Sequence, residues 1–67
     1  MENQIKRLRR LLKLSQEDLA QACNVSRQTI NAIENNKYDP SLTLAFQLAH
    51  VLQVSVDELF LYTKQQS

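Results

Sequence analysis

The stretch that decides the fold is Gln16–Asn35, QEDLAQACNVSRQTINAIEN. Ser15, just ahead of it, can cap a helix through its hydroxyl, and Asp18 three residues on completes a capping box. Leu19, Ala20 and Cys23 then recur at helical spacing and mark one apolar face. Asn24 follows, and asparagine is the non-glycine residue best suited to the left-handed conformation that ends a helix. Val25 is apolar and pins the turn to a core. Ser26 is the next N-cap. Beyond it Ile30 and Ile33 turn inward, while Arg27, Gln28, Asn31 and Ala32 look outward. The pattern is a bracing helix, a tight turn, and a second helix that offers a short polar face.

The flanking sequence extends this into an all-α reading of five short helices. A first helix is expected from about Asn3 to Leu12, with Ile5, Leu8 and Leu12 on one face and Lys6, Arg7, Arg10 and Lys13 away from it. Leu11 falls off that stripe, and Leu14 seals the turn into the second helix, 16–23. The third covers 27–35. Asn36, Lys37, Tyr38, Asp39 and Pro40 form a loop, because Asn, Asp and Pro are turn residues and the position before proline disfavours helix. Ser41 caps a fourth helix, 42–52, whose inward face is expected to be Leu42, Ala45, Leu48, Ala49 and Leu52. Val54 bridges to a second capping box, Ser55 with Glu58, which opens a fifth helix from Val56 to about Leu61. Residues 1–62 thus form one compact five-helix domain and 63–67 a polar tail; no β-alternation stands out.

Sixty-seven residues suffice for one small core and leave no room for a ligand-sensing domain. A domain of this size buries only about 60% of its unfolded surface, so its stability is modest unless association adds to it. No apolar run approaches the roughly 20 residues a membrane span requires, and no signal peptide is evident, so a cytoplasmic location is expected. The net charge is +1, but it is unevenly spread: residues 1–13 hold five bases against one acid, a balance of +4, and the remainder holds three against six, −3. Four of those acids, Glu17, Asp18, Asp57 and Glu58, lie in expected first turns, where they suit the helix dipole. With one histidine, one cysteine and no glycine, the chain supplies no catalytic triad, metal cluster or phosphate-cradling loop. No enzymatic activity, cofactor or metal is expected. Cys23 reads as a small core hydrophobe and His50 as a surface residue.

QEDLA, VSRQTINAIEN and the Tyr38-Asp39-Pro40-Ser41-Leu42 loop together resemble the phage-repressor and Cro-type (XRE) helix-turn-helix family. The resemblance runs from about Ile5 to Phe60 and is nearest to small stand-alone bacterial regulators. It implies a lambda-repressor-like DNA-binding fold and a transcriptional regulator, most simply a repressor that occludes a promoter. Where such families commonly carry glycine, this chain has Lys13, Asn24, Asn36 and Gln53. Asparagine tolerates positive φ better than lysine or glutamine, so the turns after the first and fourth helices are where local geometry is least fixed by sequence.

The site residues follow. The first residues of a recognition helix reach deepest into the major groove. Arginine can donate twice to guanine, and glutamine can pair with adenine, so Arg27 and Gln28 are the leading base readers, with Asn31 and Ala32 one turn on. The resemblance implies that Gln16 holds a backbone phosphate, and a helix N-terminus suits an anion. Thr29, Asn35, Lys37 and Tyr38 are candidate backbone contacts, where a solvated loop is the plainer reading of Lys37. The resemblance also implies a structural ion pair between Arg9 and Glu34, which removes Arg9 from the phosphate contacts. Leu44, Phe46, Val51, Leu61 and Tyr62 exceed what one small core needs and suggest a partner surface, which the resemblance makes a homodimer interface. A two-fold dimer would select a near-palindromic operator in double-stranded DNA. The alternative is a protein-interaction module, such as an antitoxin whose partner is a toxin.

Overall fold

Serine hydroxyls open four of the helices. In a computed structural model, which describes residues 1–61, Ser15 accepts from the Asp18 amide and opens α2 (Gln16–Ala22). Ser26 accepts from Thr29 and opens α3 (Arg27–Glu34); Ser41 accepts from Leu44 and opens α4 (Leu42–Leu52). Ser55 accepts from Glu58 and opens α5 (Val56–Leu59). Both expected capping boxes are complete, Ser15 with Asp18 and Ser55 with Glu58. Each of these two carboxyls is held below its ordinary pKa, first by the serine backbone N–H and then by its hydroxyl.

The helices also end alike. Lys13, Asn24, Asn36 and Gln53 all have left-handed backbones, with φ of 60°, 58°, 62° and 63°. At each, the next residue's amide reaches back to a carbonyl five residues earlier: Leu14 to Arg9, Val25 to Ala20, Lys37 to Ala32, and Val54 to Ala49, at 2.9–3.0 Å. This is the Schellman closure, a position glycine usually fills, repeated four times in a chain that contains no glycine. Leu14, Val25 and Val54 then pack against the core, as the motif favours. Lys37 is the exception and stays exposed.

The first helix, α1 (Ile5–Leu11), starts two residues later than the sequence suggests, and the fifth ends two earlier. Asn3 instead joins Glu2 in a short strand, β1 (Glu2–Asn3), and Phe60 and Leu61 form β2 (Phe60–Leu61); the two pair antiparallel, with Glu2 opposite Leu61 and Asn3 opposite Phe60. Strands of two residues are too short to show alternation, which is why an all-helical reading missed them. Asn3 explains the late start of α1. Its side-chain oxygen accepts from the Ile5 amide at 3.1 Å, so it acts on the helix from outside it. Its Nδ2 donates to the Ile33 carbonyl at 2.8 Å and to Asn36 Oδ1 at 3.3 Å, which ties β1 to the end of α3.

One core joins Ile5, Leu19, Ala20, Cys23, Ile30, Ile33, Leu48, Leu52, Leu59 and their neighbours. Burial there pushes the Cys23 thiol pKa up, which keeps it neutral. The inward face of α4 differs from expectation at one turn: Leu42 is 70% exposed, while Leu44 is 8% exposed and sits in the core. At about 100° per residue, a face centred on Ala45, Leu48 and Leu52 leaves Leu42 roughly a quarter turn to one side and admits Leu44 on the other. Tyr62 and the tail lie outside the described residues. Among the described residues no helix is long and apolar enough to cross a membrane.

A left-handed residue other than glycine carries about 1–2 kcal/mol of backbone cost. Glycine gives back about 0.4–1 kcal/mol by loosening the unfolded chain. Lys13→Gly and Gln53→Gly should therefore each stabilise by about 0.5–1 kcal/mol and raise the melting midpoint by a few degrees. Asn24→Gly and Asn36→Gly should gain less. A calorimetric midpoint that falls in Gln53→Gly would show that this turn carries no such cost.

Candidate nucleic-acid interface

The second helix of the braced pair, α3, is fixed by two kinds of contact. On its apolar side Ile30 and Ile33 are fully buried against the core. At its C-terminal end Glu34 enters a polar cluster. Arg9 Nε donates to Glu34 Oε2 at 2.7 Å and Arg9 Nη2 to Glu34 Oε1 at 3.3 Å. Arg9 Nη1 donates to the Leu14 carbonyl at 2.9 Å, and Gln16 Nε2 donates to Glu34 Oε1 at 3.1 Å. The two charged side chains are only 10% and 3% exposed. The fork-to-carboxylate geometry gives directional strength that a point charge would lack. The cluster therefore joins α1, the turn at Leu14, the first residue of α2 and the last residue of α3.

The opposite side of α3 is open. Arg27, Gln28 and Asn31 are exposed, and Ala32 is half-buried between them and the core. Among the described residues no hydrogen bond holds the Arg27 or Gln28 side chain, so both keep their full donor sets for an external partner. Thr29 is half-buried, its hydroxyl 3.0 Å from that of Ser26, close to the cap. Gln16 is half-buried as well: one of its amide hydrogens goes to Glu34, and its other hydrogen remains free for an anion. Lys37 and Tyr38 leave α3 exposed on the same end of the helix. Lys37 occupies the Schellman position that is apolar at the other three helix ends, so at this end a charge replaces a core contact.

Asn35 is placed differently from the expectation of a phosphate contact. Its Nδ2 donates to the Asn31 carbonyl at 2.8 Å and to Asn31 Oδ1 at 3.1 Å. Both amide hydrogens are thus engaged within the helix, and what remains of this side chain is an acceptor oxygen, which an anion does not seek. Sequence reasoning also had no signal for Asn3, whose side-chain bonds to Ile33 and Asn36 steady the end of α3 from a residue thirty positions away.

Two further surfaces carry the remaining candidates. Lys6, Arg7 and Arg10 are exposed on α1 and line a shallow groove with Asn3, Gln4 and Leu11. Phe46 is 59% exposed and stands between two depressions, one formed with Val56, Phe60 and Leu61 and one with His50 and Val51. Leu42 adds to the same apolar side. Leu44, expected there, is instead a core residue.

A braced pair of helices, the second with its polar face free and its apolar face locked, defines a helix-turn-helix domain. The chain belongs to the helix-turn-helix family, whose match spans residues 5–59. It is 53% identical over 62 residues to an uncharacterised HTH-type transcriptional regulator of Methanocaldococcus jannaschii, covering 92% of this chain and 94% of that protein. The similarity expected to bacterial regulators therefore extends to an archaeal one. Among solved structures, the restriction-modification controller protein C.AhdI of Aeromonas hydrophila superposes with a TM-score of 0.77 at 32% identity, over 84% of this chain and 85% of that one. The N-terminal DNA-binding domain of SinR from Bacillus subtilis superposes with a TM-score of 0.71, also at 32% identity, over 78% and 77%.

The Arg9–Glu34 cluster yields a stability prediction. Removing one member of a buried pair leaves the other charge unpaired, at a cost of about 3–5 kcal/mol. A domain of this length has only about 3–10 kcal/mol in total. Arg9→Ala or Glu34→Ala should thus leave the chain largely unfolded at 37 °C by circular dichroism. The double variant Arg9→Met/Glu34→Leu should recover much of the loss, since it removes both charges together. Equal unfolding of the double variant would mean that packing, and not charge pairing, dominates this corner.

Proposed function

We propose that the chain is a sequence-specific, DNA-binding transcriptional regulator that works in the cytoplasm as a homodimer, without catalysis, and represses by occluding a promoter. The observation that carries this reading is the free state of Arg27 and Gln28 at the N-terminal end of a helix whose far side is locked. Residues at that end enter the major groove first, and their donor sets match guanine and adenine edges. Gln16, Lys37 and Tyr38 would contact the phosphates on either side and set the register without reading sequence. Family membership and the DNA-binding domain that superposes on this chain support the same role.

The exposed apolar side at Phe46 and Leu61, with Val51 half-buried beside it against the core, supports the dimer. A two-fold pair would set two recognition helices about 34–36 Å apart, one turn of duplex, and so select a near-palindrome. The same surface also suits the alternative of a protein partner such as a toxin, and the two roles are compatible.

In vitro selection from a random DNA pool tests the assignment: it should return a two-fold symmetric site. Arg27→Ala and Gln28→Ala should each weaken that site by roughly 5- to 150-fold while leaving non-specific binding intact. Lys37→Ala should weaken all sequences alike and reduce the salt slope by about 1. Wild-type specificity in both Arg27→Ala and Gln28→Ala would exclude α3 as the reader. Phe46→Glu should shift the protein from dimer to monomer in sedimentation velocity; a dimer that survives this change would move the interface elsewhere.

A further inference from the structure

The bases of this chain are gathered at one end of it. Residues 1–13 carry a balance of +4 and the remainder −3. The reading face described above holds two cations, Arg27 and Lys37, and Arg27 is committed to a base. Affinity for a duplex comes largely from cations that displace counterions from its phosphates, and one lysine per protomer supplies little of that. Lys6, Arg7, Arg10 and Lys13 are all exposed, and among the described residues none of them pairs with a carboxylate. Arg9, the remaining base of this segment, is spent on Glu34.

Their placement on α1 is directional. Arg9 marks the side of α1 that faces the C-terminal end of α3, since it reaches Glu34 there at 2.7 Å. At about 100° per residue, Lys6 lies roughly 60° round the helix from Arg9 and Arg10 roughly 100°, both turning away from the buried Ile5. Arg7 lies roughly 160° round, on the far side. Lys13 sits in the turn after α1, beside Leu14, whose carbonyl takes Arg9 Nη1. Three residues further on is Gln16, the candidate phosphate contact that keeps one amide hydrogen free. We infer that Lys6, Arg10 and Lys13 form a track for backbone phosphates of the bound duplex, continuing from Gln16 along the outer face of α1. The inference rests on the DNA-binding reading above and extends its surface from α2 and α3 to α1. Arg7 stands outside the track, and its Nε donates to Gln4 Oε1 at 2.9 Å. Cations on phosphates carry no sequence information, so the track strengthens all sequences alike and leaves base choice to α3.

Binding of full-length variants to the selected site across a salt series tests the inference. Each phosphate contact contributes about 0.9 to the slope of log association constant against log salt. The triple variant Lys6→Gln/Arg10→Gln/Lys13→Gln should therefore lower that slope by roughly 2.7 per protomer, so that a fourfold rise in salt costs it about 40-fold less affinity per protomer than it costs the wild type. Its selected sequence should be that of the wild type. Glutamine already holds the left-handed backbone at residue 53, so Lys13→Gln suits its turn. Phosphate ethylation interference should lose a group of phosphates in the triple variant that differs from the group lost in Lys37→Ala. Arg7→Gln removes the same charge as Lys6→Gln from the far side of the helix, and should keep the wild-type slope and phosphate map while Lys6→Gln loses both. Circular dichroism melts establish that each variant is folded. A triple variant with the wild-type slope and map overturns the inference. So does an Arg7→Gln equal to Lys6→Gln, since α1 would then supply only a general field. If either occurs while Arg27→Ala still loses base preference, the inference fails and the DNA-binding reading stands. If the wild type enriches no sequence, that reading fails and takes the inference with it.

Discussion

The carboxylate of Glu34 is the point on which the rest of the domain turns. It receives Arg9 from the first helix and Gln16 from the start of the second, while Arg9 also closes onto the Leu14 carbonyl between them. A charge at 3% exposure is tolerable only when it is paired and hydrogen-bonded, and this one has three donors. Among the described residues no buried side-chain nitrogen or oxygen is left without a partner. The consequence reaches beyond stability. Ile30 and Ile33 hold the apolar side of α3 against the core, and Glu34 ties down its C-terminal end. Arg27 and Gln28 thus project from a helix that is held by packing on its apolar side and by this cluster about two turns further on.

Around that point the chain uses one pair of devices repeatedly. A serine opens each helix from α2 to α5, and a left-handed residue closes each from α1 to α4. Short helices of four to eleven residues are marginal alone, so satisfied ends matter more here than intrinsic propensity. The absence of glycine shifts the cost into the folded state at Lys13 and Gln53, and less so at Asn24 and Asn36. The following apolar residue repays part of it by packing, except after α3, where Lys37 packs against nothing. That departure falls at the C-terminal end of α3, the helix that offers Arg27 and Gln28, and leaves a cation exposed there.

Most of this was legible in the sequence because it is local. Caps and boxes lie within four residues, the helical period within seven, and the positions that need positive φ stand between them. What was not legible depends on distance. Asn3 pairs with Phe60 across the whole chain, so Asn3, Phe60 and Leu61, which continue a helical pattern, become strand. Leu42 and Leu44 both satisfy an apolar pattern, and only the direction of the neighbouring helices decides that Leu44 goes in. The Arg9–Glu34 pair, twenty-five residues apart, entered through family resemblance alone; spacing does not connect them.

The candidate site shows a further limit of residue types as evidence. Four polar side chains on and beside α3 look equivalent on paper, yet their free valences differ. Arg27 and Gln28 keep all of theirs, Gln16 has given one hydrogen to Glu34, and Asn35 has given both to Asn31. An amide hydrogen already bonded inward is not available to an external partner. Recognition by so small a domain is therefore a remainder: the groove meets only the hydrogen-bonding capacity that the fold has not already consumed. A helix that must brace itself with its own polar residues narrows its readout by the same bonds that hold it still.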